Sequence, residues 1–417
     1  MTDIDTTTAP PAHEATDEPA DRRVGIRAAL TGFLDRARVG DVGSLPVVIG
    51  LVIIWAIFQM LSSDFLSPGN LVNLVTESAA VGTIAIGVVL VLLVAQIDLS
   101  VGSMSGVAAA VLGVGLTRLG WSVGAAIAVA LIAALVVGAI YSAVFTWFGV
   151  PTFVVTLAGL LALLGLQLEI LGTHGSINIP FDSSIVRFMQ QTYVSRPLSY
   201  VLAAAIAGLY FMSRFARNRR RRAYDLPTRS STRALLQAGL LLAVLEIGCW
   251  YLNQDRGVSA PFVLFVVLVV IVDLLLTRTS WGRSVYAVGG SAEAARRAGI
   301  KVNRIYASAL ILGTLFAALG GLLAAGRIAA ASTSSGMGTT NLNAIAAAVI
   351  GGTSLFGGRG NAYSALLGIL VIQSIANGLT LLNLTSAARF MITGGVLMAA
   401  VIVDSVTRRA RAAHGRA

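Results

Sequence analysis

The fold is decided by residues 119 to 168, LGWSVGAAIAVALIAALVVGAIYSAVFTWFGVPTFVVTLAGLLALLGLQL, which carry no charged side chain. A helix crosses a bilayer with about 20 apolar residues. The run is too long for one crossing, and Gly149, Val150 and Pro151 mark the turn between two.

The rest of the chain repeats this composition. Of 417 residues, 56% are hydrophobic and 12% charged, with a mean hydropathy of +0.83, which excludes a soluble globular domain. The apolar runs are continuous and rich in Ala, Leu and Gly instead of alternating every second residue, so helices are expected and a barrel is not. The expected fold class is therefore all-α, a polytopic membrane helix bundle of about 12 hydrophobic segments. They lie near 46–62, 71–95, 101–117, 122–148, 152–171, 197–213, 234–252, 260–277, 305–325, 344–358, 362–382 and 389–405. The segment at 344–358 is short for a span and reads as a half-helix or re-entrant element, which lipid tolerates only under protein cover.

Orientation follows from arginines. With a cytoplasmic N-terminus, the outer segments hold only Arg118, Arg187, Arg196, Arg256, Arg327 and Arg389, and every other Lys and Arg falls inside. Both termini are thus expected in the cytoplasm. The domain plan is a disordered tail over 1–45, a transmembrane domain over 46–407 and a basic tail over 408–417. Within the transmembrane domain lie a basic loop at 214–233 and a second charged loop at 278–304. The net charge of +11 reflects orientation and contact with anionic lipid, not a nucleic-acid partner. Cys249 is the single cysteine and lies in an apolar segment, so no internal disulfide is expected.

The charged loop at 278–304 reads RTSWGRSVYAVGGSAEAARRAGIKVNR. Ser291 is placed to cap a short helix through AEAARRA that has Glu293 in its first turn and stops at Gly299. A solvated connector is the plain reading, yet a connector needs only a handful of residues. No Walker A loop is present: the single lysine, Lys301, is followed by Val302 where Ser or Thr is required. No ATP, metal or other cofactor site is expected in this chain, and no paired carboxylates or nucleophile and base stand at catalytic spacing.

Polar and glycine residues interrupt the apolar runs twice. AQIDLSVGSMSG at 95–106 brings Gln96, Asp98, Ser100 and Ser103 with Gly102 between two segments. An acid in hydrocarbon costs roughly 2.5–3.5 kcal/mol, so Asp98 is expected to face protein or water. The second break, AIAAAVIGGTSLFGGRGNAYSALLG at 344–368, holds Gly351, Gly352, Gly357 and Gly358 around Thr353, Ser354 and Asn361. These side chains are candidates for a translocation pathway, and the glycines for close helix packing. Asn377 shares a helix face with Gln373 and can meet either substrate hydroxyls or another helix.

IDLSVGS at 97–103, YAVGG through EAARRAG at 286–299 and LNAIAAAVIGGTSLFGGRGN at 342–361, followed by IANGLTLLN, resemble in order the permease subunits of ABC importers for monosaccharides. The likeness covers roughly residues 70–410 and favours the longer xylose-type permeases over the ribose type. It implies that Ser291, Glu293, Ala294, Ala295, Arg296 and Gly299 form the helix that docks on an ATPase subunit. It further implies an extracytoplasmic sugar-binding protein, a second permease copy, alternating access, and ATP and Mg held by the partner ATPase. Asn343 departs from the pattern, in which an acid often precedes the alanine run. Two rivals share the general plan. A secondary sugar transporter would carry a basic GxxxD loop after its second span, where IDLSVGS stands; an ABC permease for branched-chain amino acids or nucleosides would share the architecture.

Overall fold

The computed structural model describes residues 45–224, 231–396, 398 and 402; the expected tails, apart from Leu45, and residues 225–230 of the basic loop lie outside them. The charge-free run folds as two helices, α4 (Val123–Phe148) and α5 (Thr152–Leu171). Ser122 caps the first by accepting from the Ala125 amide at 3.2 Å, Gly149 ends it at φ +68°, and Pro151 opens the second.

Before them run α1 (Leu45–Leu61), α2 (Pro68–Leu93) and α3 (Val101–Thr117). After them come a short α6 (Ser184–Gln191), then α7 (Arg196–Arg222), α8 (Ser231–Leu252) and α9 (Ala260–Arg278). The loop at 278–304 folds as α10 (Ser280–Gly290) and α11 (Ala292–Arg297). The rest is α12 (Val302–Ile328), α13 (Thr339–Ile350), α14 (Tyr363–Leu381) and a final helix over 386–396. Eight of these are long and apolar enough to cross a membrane, and α1, α3 and α13 are shorter apolar helices. Among the described residues the departure from an all-helical fold is a small antiparallel ribbon, β1 (Ser176–Asn178) on β2 (Ala330–Ser332), with Ile177 opposite Ala331.

Helices differ sharply in how much of themselves they bury. In α2, 83% of the most apolar stretch is inside the protein, against 6% in α8, so α2 is the core and α8 faces outward. Small residues let the core helices touch: the backbone of α12 at Gly313 lies against Gly87 of α2, Gly320 against Ala80, and Gly321 against Ser105 of α3. With 12 residues, α13 is about 18 Å long, well under the roughly 30 Å of hydrocarbon. The apolar segment expected over 344–358 is thus a helix over Thr339–Ile350 followed by a loop, and protein covers it: Gly368 of α14 packs on the Ala347 backbone and Gly351 on that of Ser364.

A side chain at Gly321 would strike the Ser105 carbonyl, whereas one at Gly239 of α8 meets open space. Gly321→Val is expected to lower the thermal midpoint in detergent by the equivalent of roughly 1–3 kcal/mol, with Gly239→Ala neutral or slightly stabilising. Equal midpoints for the two variants would contradict this account of the core.

Candidate functional site

The six-residue helix α11 is bounded at both ends by local chemistry. The Ser291 hydroxyl accepts from the Ala294 amide at 3.2 Å. At the other end the Gly299 amide donates to Arg296 O and the Ile300 amide to Ala295 O, both at 3.0 Å, with Gly299 at φ +81°. This pair of bonds is a Schellman closure, which needs a left-handed residue and so selects glycine. Ala295 is buried and anchors the helix, while Glu293, Ala294 and Arg296 are exposed. Glu293 pairs with Arg296 at 3.0 Å and Arg297 at 3.2 Å, exposed contacts that add little stability.

Immediately before Ser291 the chain is pinned to two other segments. The Gly358 amide donates to Leu93 O at 2.9 Å. A Cβ on Gly289 would collide with that same Leu93 carbonyl and with the Gly358 amide, and one on Gly357 would lie 2.6 Å from the Ala95 methyl. Three backbones therefore meet without side chains between them: the end of α10, the end of α2, and the loop after α13. The Tyr286 hydroxyl adds a bond to Gly360 O at 2.9 Å, and Trp281 ties α10 to Ser308 of α12 at 2.8 Å. Burial pushes the Tyr286 phenol above its ordinary pKa, so it stays a donor.

Past Leu93 the chain leaves helical geometry until Val101, with Ala95 at φ +57°. Asp98 is 4% exposed. One carboxylate oxygen accepts from both the amide and the hydroxyl of Ser100 at 2.7 Å; the other has no partner. The acid sits at the positive end of α3 and caps its own turn, which offsets part of the cost of burial. Helix α5 holds the loop from one side: Thr152 donates to Gln96 at 2.6 Å, and the Thr156 hydroxyl accepts from the Leu99 amide at 3.2 Å. From α13, Asn341 donates to Leu99 O at 2.9 Å. The Tyr141 hydroxyl of α4 is buried against Gly159 of α5, near Ser100. Gly102 lets the Gly336 carbonyl and Asn341 approach α3, and Ser103 is buried nearby on the same helix.

In the second break, Thr353 is buried with its hydroxyl unpaired. The Ser354 amide bonds Arg359 O at 3.0 Å, Gly352 adopts φ +105°, and Asn361 is exposed. This loop abuts Leu93, Ala95 and Gly289, so the structure brings the α11 group, the Asp98 loop and the Thr353 to Asn361 loop to one end of the bundle. Asn377 stands apart. It exchanges hydrogen bonds with Asn70 at the opposite end of α2, at 2.8 and 2.9 Å, and Gln373 binds Glu77 at 2.7 Å. Both amides thus join α14 to α2. Sequence reading passed over Thr152, Thr156, Tyr141 and Asn341; the spacing of Thr152 and Thr156, one turn apart in an apolar helix, was the available signal. Among the described residues no group of His, Cys, Asp and Glu could hold a metal ion.

An exposed helix joined backbone to backbone with two polar breaks in a multi-pass bundle is the build of a membrane permease. The chain belongs to the family described as branched-chain amino acid transport system / permease component, whose pattern it matches over residues 70–401. It is 35% identical to the xylose transport system permease protein XylH of Escherichia coli K12 over 370 residues, covering 87% of this chain and 92% of that protein. The XylH protein of Haemophilus influenzae is 32% identical, with 87% and 96% covered. The ribose import permease protein RbsC of Escherichia coli K12 is 29% identical over 363 residues, 86% of this chain and 92% of that one. No solved structure matches the chain.

Removing the Asp98 carboxylate strands two buried donors of Ser100. Asp98→Ala should destabilise the protein in thermal unfolding by roughly 1–3 kcal/mol, and Asp98→Asn, which keeps an acceptor, by clearly less. A reversed order would mean that the carboxylate is not serving as the turn's acceptor.

Proposed function

We propose that this chain is the membrane-spanning subunit of an ATP-driven importer that moves a monosaccharide, xylose or a related pentose, into the cytoplasm by alternating access. The observation that carries the proposal is the junction of Gly289, Leu93 and Gly358, which links α11 directly to the Asp98 loop and to the half-helix α13. The pentose permeases similar to most of its length support the substrate. About twelve segments cross or enter the membrane, with both termini, the basic loop at 214–233 and the loop at 278–304 on the cytoplasmic side, as the arginine distribution favours.

The partner ATPase binds ATP and Mg and docks on Ser291 to Gly299. Its closure displaces α11. Because α10 ends in bare backbone contact with Leu93 and Gly358, that displacement reaches Gln96, Asp98, Ser100 and Ser103 as well as Thr353, Ser354 and Asn361 without a compressible side chain between. These residues line or move the path. A second permease copy completes it, an extracytoplasmic binding protein delivers the sugar, and the chain itself performs no covalent chemistry.

The test is purification of the tagged permease from its native membrane, as wild type and with Glu293→Ala and Gly299→Asp. A P-loop ATPase should accompany wild type and fall to about a tenth or less with Gly299→Asp, which strains the Schellman closure. Protein that purifies alone and accumulates xylose in vesicles without ATP would replace this reading with secondary transport.

A further inference from the structure

Between α13, α14 and the helix over 386–396 lies a cavity of about 230 Å³. Its polar wall is Thr339 and Asn343 of α13, Thr380 of α14, and Ser386, Arg389 and Thr393 of the final helix. Ile372, Ala376 and Phe390 form the apolar wall. Drug-sized pockets begin near 300 Å³, so this space suits a smaller, five- or six-carbon molecule. It spans a useful depth. Asn343 is two residues from Asn341, which is bonded to the Asp98 loop, whereas Thr380 lies near the end of α14 remote from the α11 junction.

The lining chemistry selects among ligands. Hydroxyls and one amide dominate, and the side-chain oxygen of Asn343 is buried without a hydrogen-bond partner. Arg389 already spends donors on Leu384 O at 3.0 Å and on the Thr380 hydroxyl at 3.1 Å. Among the described residues no carboxylate lines the space, so the ammonium group of an amino acid would find no counter-charge there. A polyol supplies the missing donors and acceptors, and Phe390 offers an apolar face to the C–H side of a sugar ring.

We infer that this cavity is a resting site for an uncharged monosaccharide on the translocation path, with the Asn343 amide, Thr393 and Ser386 exchanging hydrogen bonds with its hydroxyls. The inference rests on the sugar-importer reading and assigns it a site outside the two polar breaks.

It is tested with the complete importer, permease with its ATPase and binding protein, in proteoliposomes supplied with ATP and radiolabelled xylose. Asn343→Leu and Thr393→Val should lower pentose uptake about fivefold to tenfold while ATP hydrolysis stays within about twofold of wild type. Thr393→Ser, which keeps the hydroxyl, should restore uptake. Wild-type uptake by Asn343→Leu and Thr393→Val overturns the site, as does a parallel loss of uptake and hydrolysis that Thr393→Ser shares. If wild-type liposomes accumulate leucine and no pentose, the sugar reading itself fails, and the site with it.

Discussion

Backbone polar groups have no water to bond in hydrocarbon, and that single constraint organises this molecule. A chain of helices satisfies it trivially. A chain with non-helical stretches at Ala95 to Ser100 and after Ile350 can satisfy it only by placing those stretches against protein. The bond from the Gly358 amide to Leu93 O, the side-chain bond from Asn341 to Leu99 O and the threonines of α5 are the local solutions. Each demands close approach, and the glycines at 102, 289, 357 and 358 stand where a methyl group would prevent it.

The same closeness shapes the route between the exposed helix and the interior. Side-chain contacts absorb motion by changing rotamer, whereas opposed backbones move together or separate. Two residues lie between Gly289 and Ala292, the start of α11, so a push on the helix acts over a very short lever. At the far end of α2, Asn70, Asn73 and Glu77 follow helical spacing and are engaged by Asn377, Arg256 and Gln373. Helix α2 is therefore gripped at both ends, by backbone at one and by amide and ion-dipole contacts at the other.

Much of this was legible in the sequence. The two helices of the charge-free run emerged because Gly149 and Pro151 punctuate it; α11 emerged because Ser291, Glu293 and Gly299 are local signals that act within a few residues. The shortness of 344–358 announced a helix too short to cross, although that helix begins at Thr339 and stops at Ile350. What stayed hidden was which face of each helix points inward. In a soluble protein a polar stripe marks the solvent side, but here lipid and core are both apolar, and periodicity carries no such information. Tyr141 and Thr156 looked like incidental residues of oily helices for that reason. Asn377 left two readings open, because an amide at membrane depth can meet a ligand or a helix, and only the position of Asn70 distinguishes them.

The outward face of α11 has a consequence for inheritance. Its one acid is shared by Arg296 and Arg297, which leaves one positive charge in excess, and Ala294, Ala298 and Gly299 present little more than main chain. A surface of that kind offers contour and a single net charge. On the proposed docking, any lineage that enlarges one of these residues must hollow the receiving surface in the same step, so the two genes are expected to drift together here or not at all. Conversely, on the same proposal, relatives that keep the contour remain able to exchange partners.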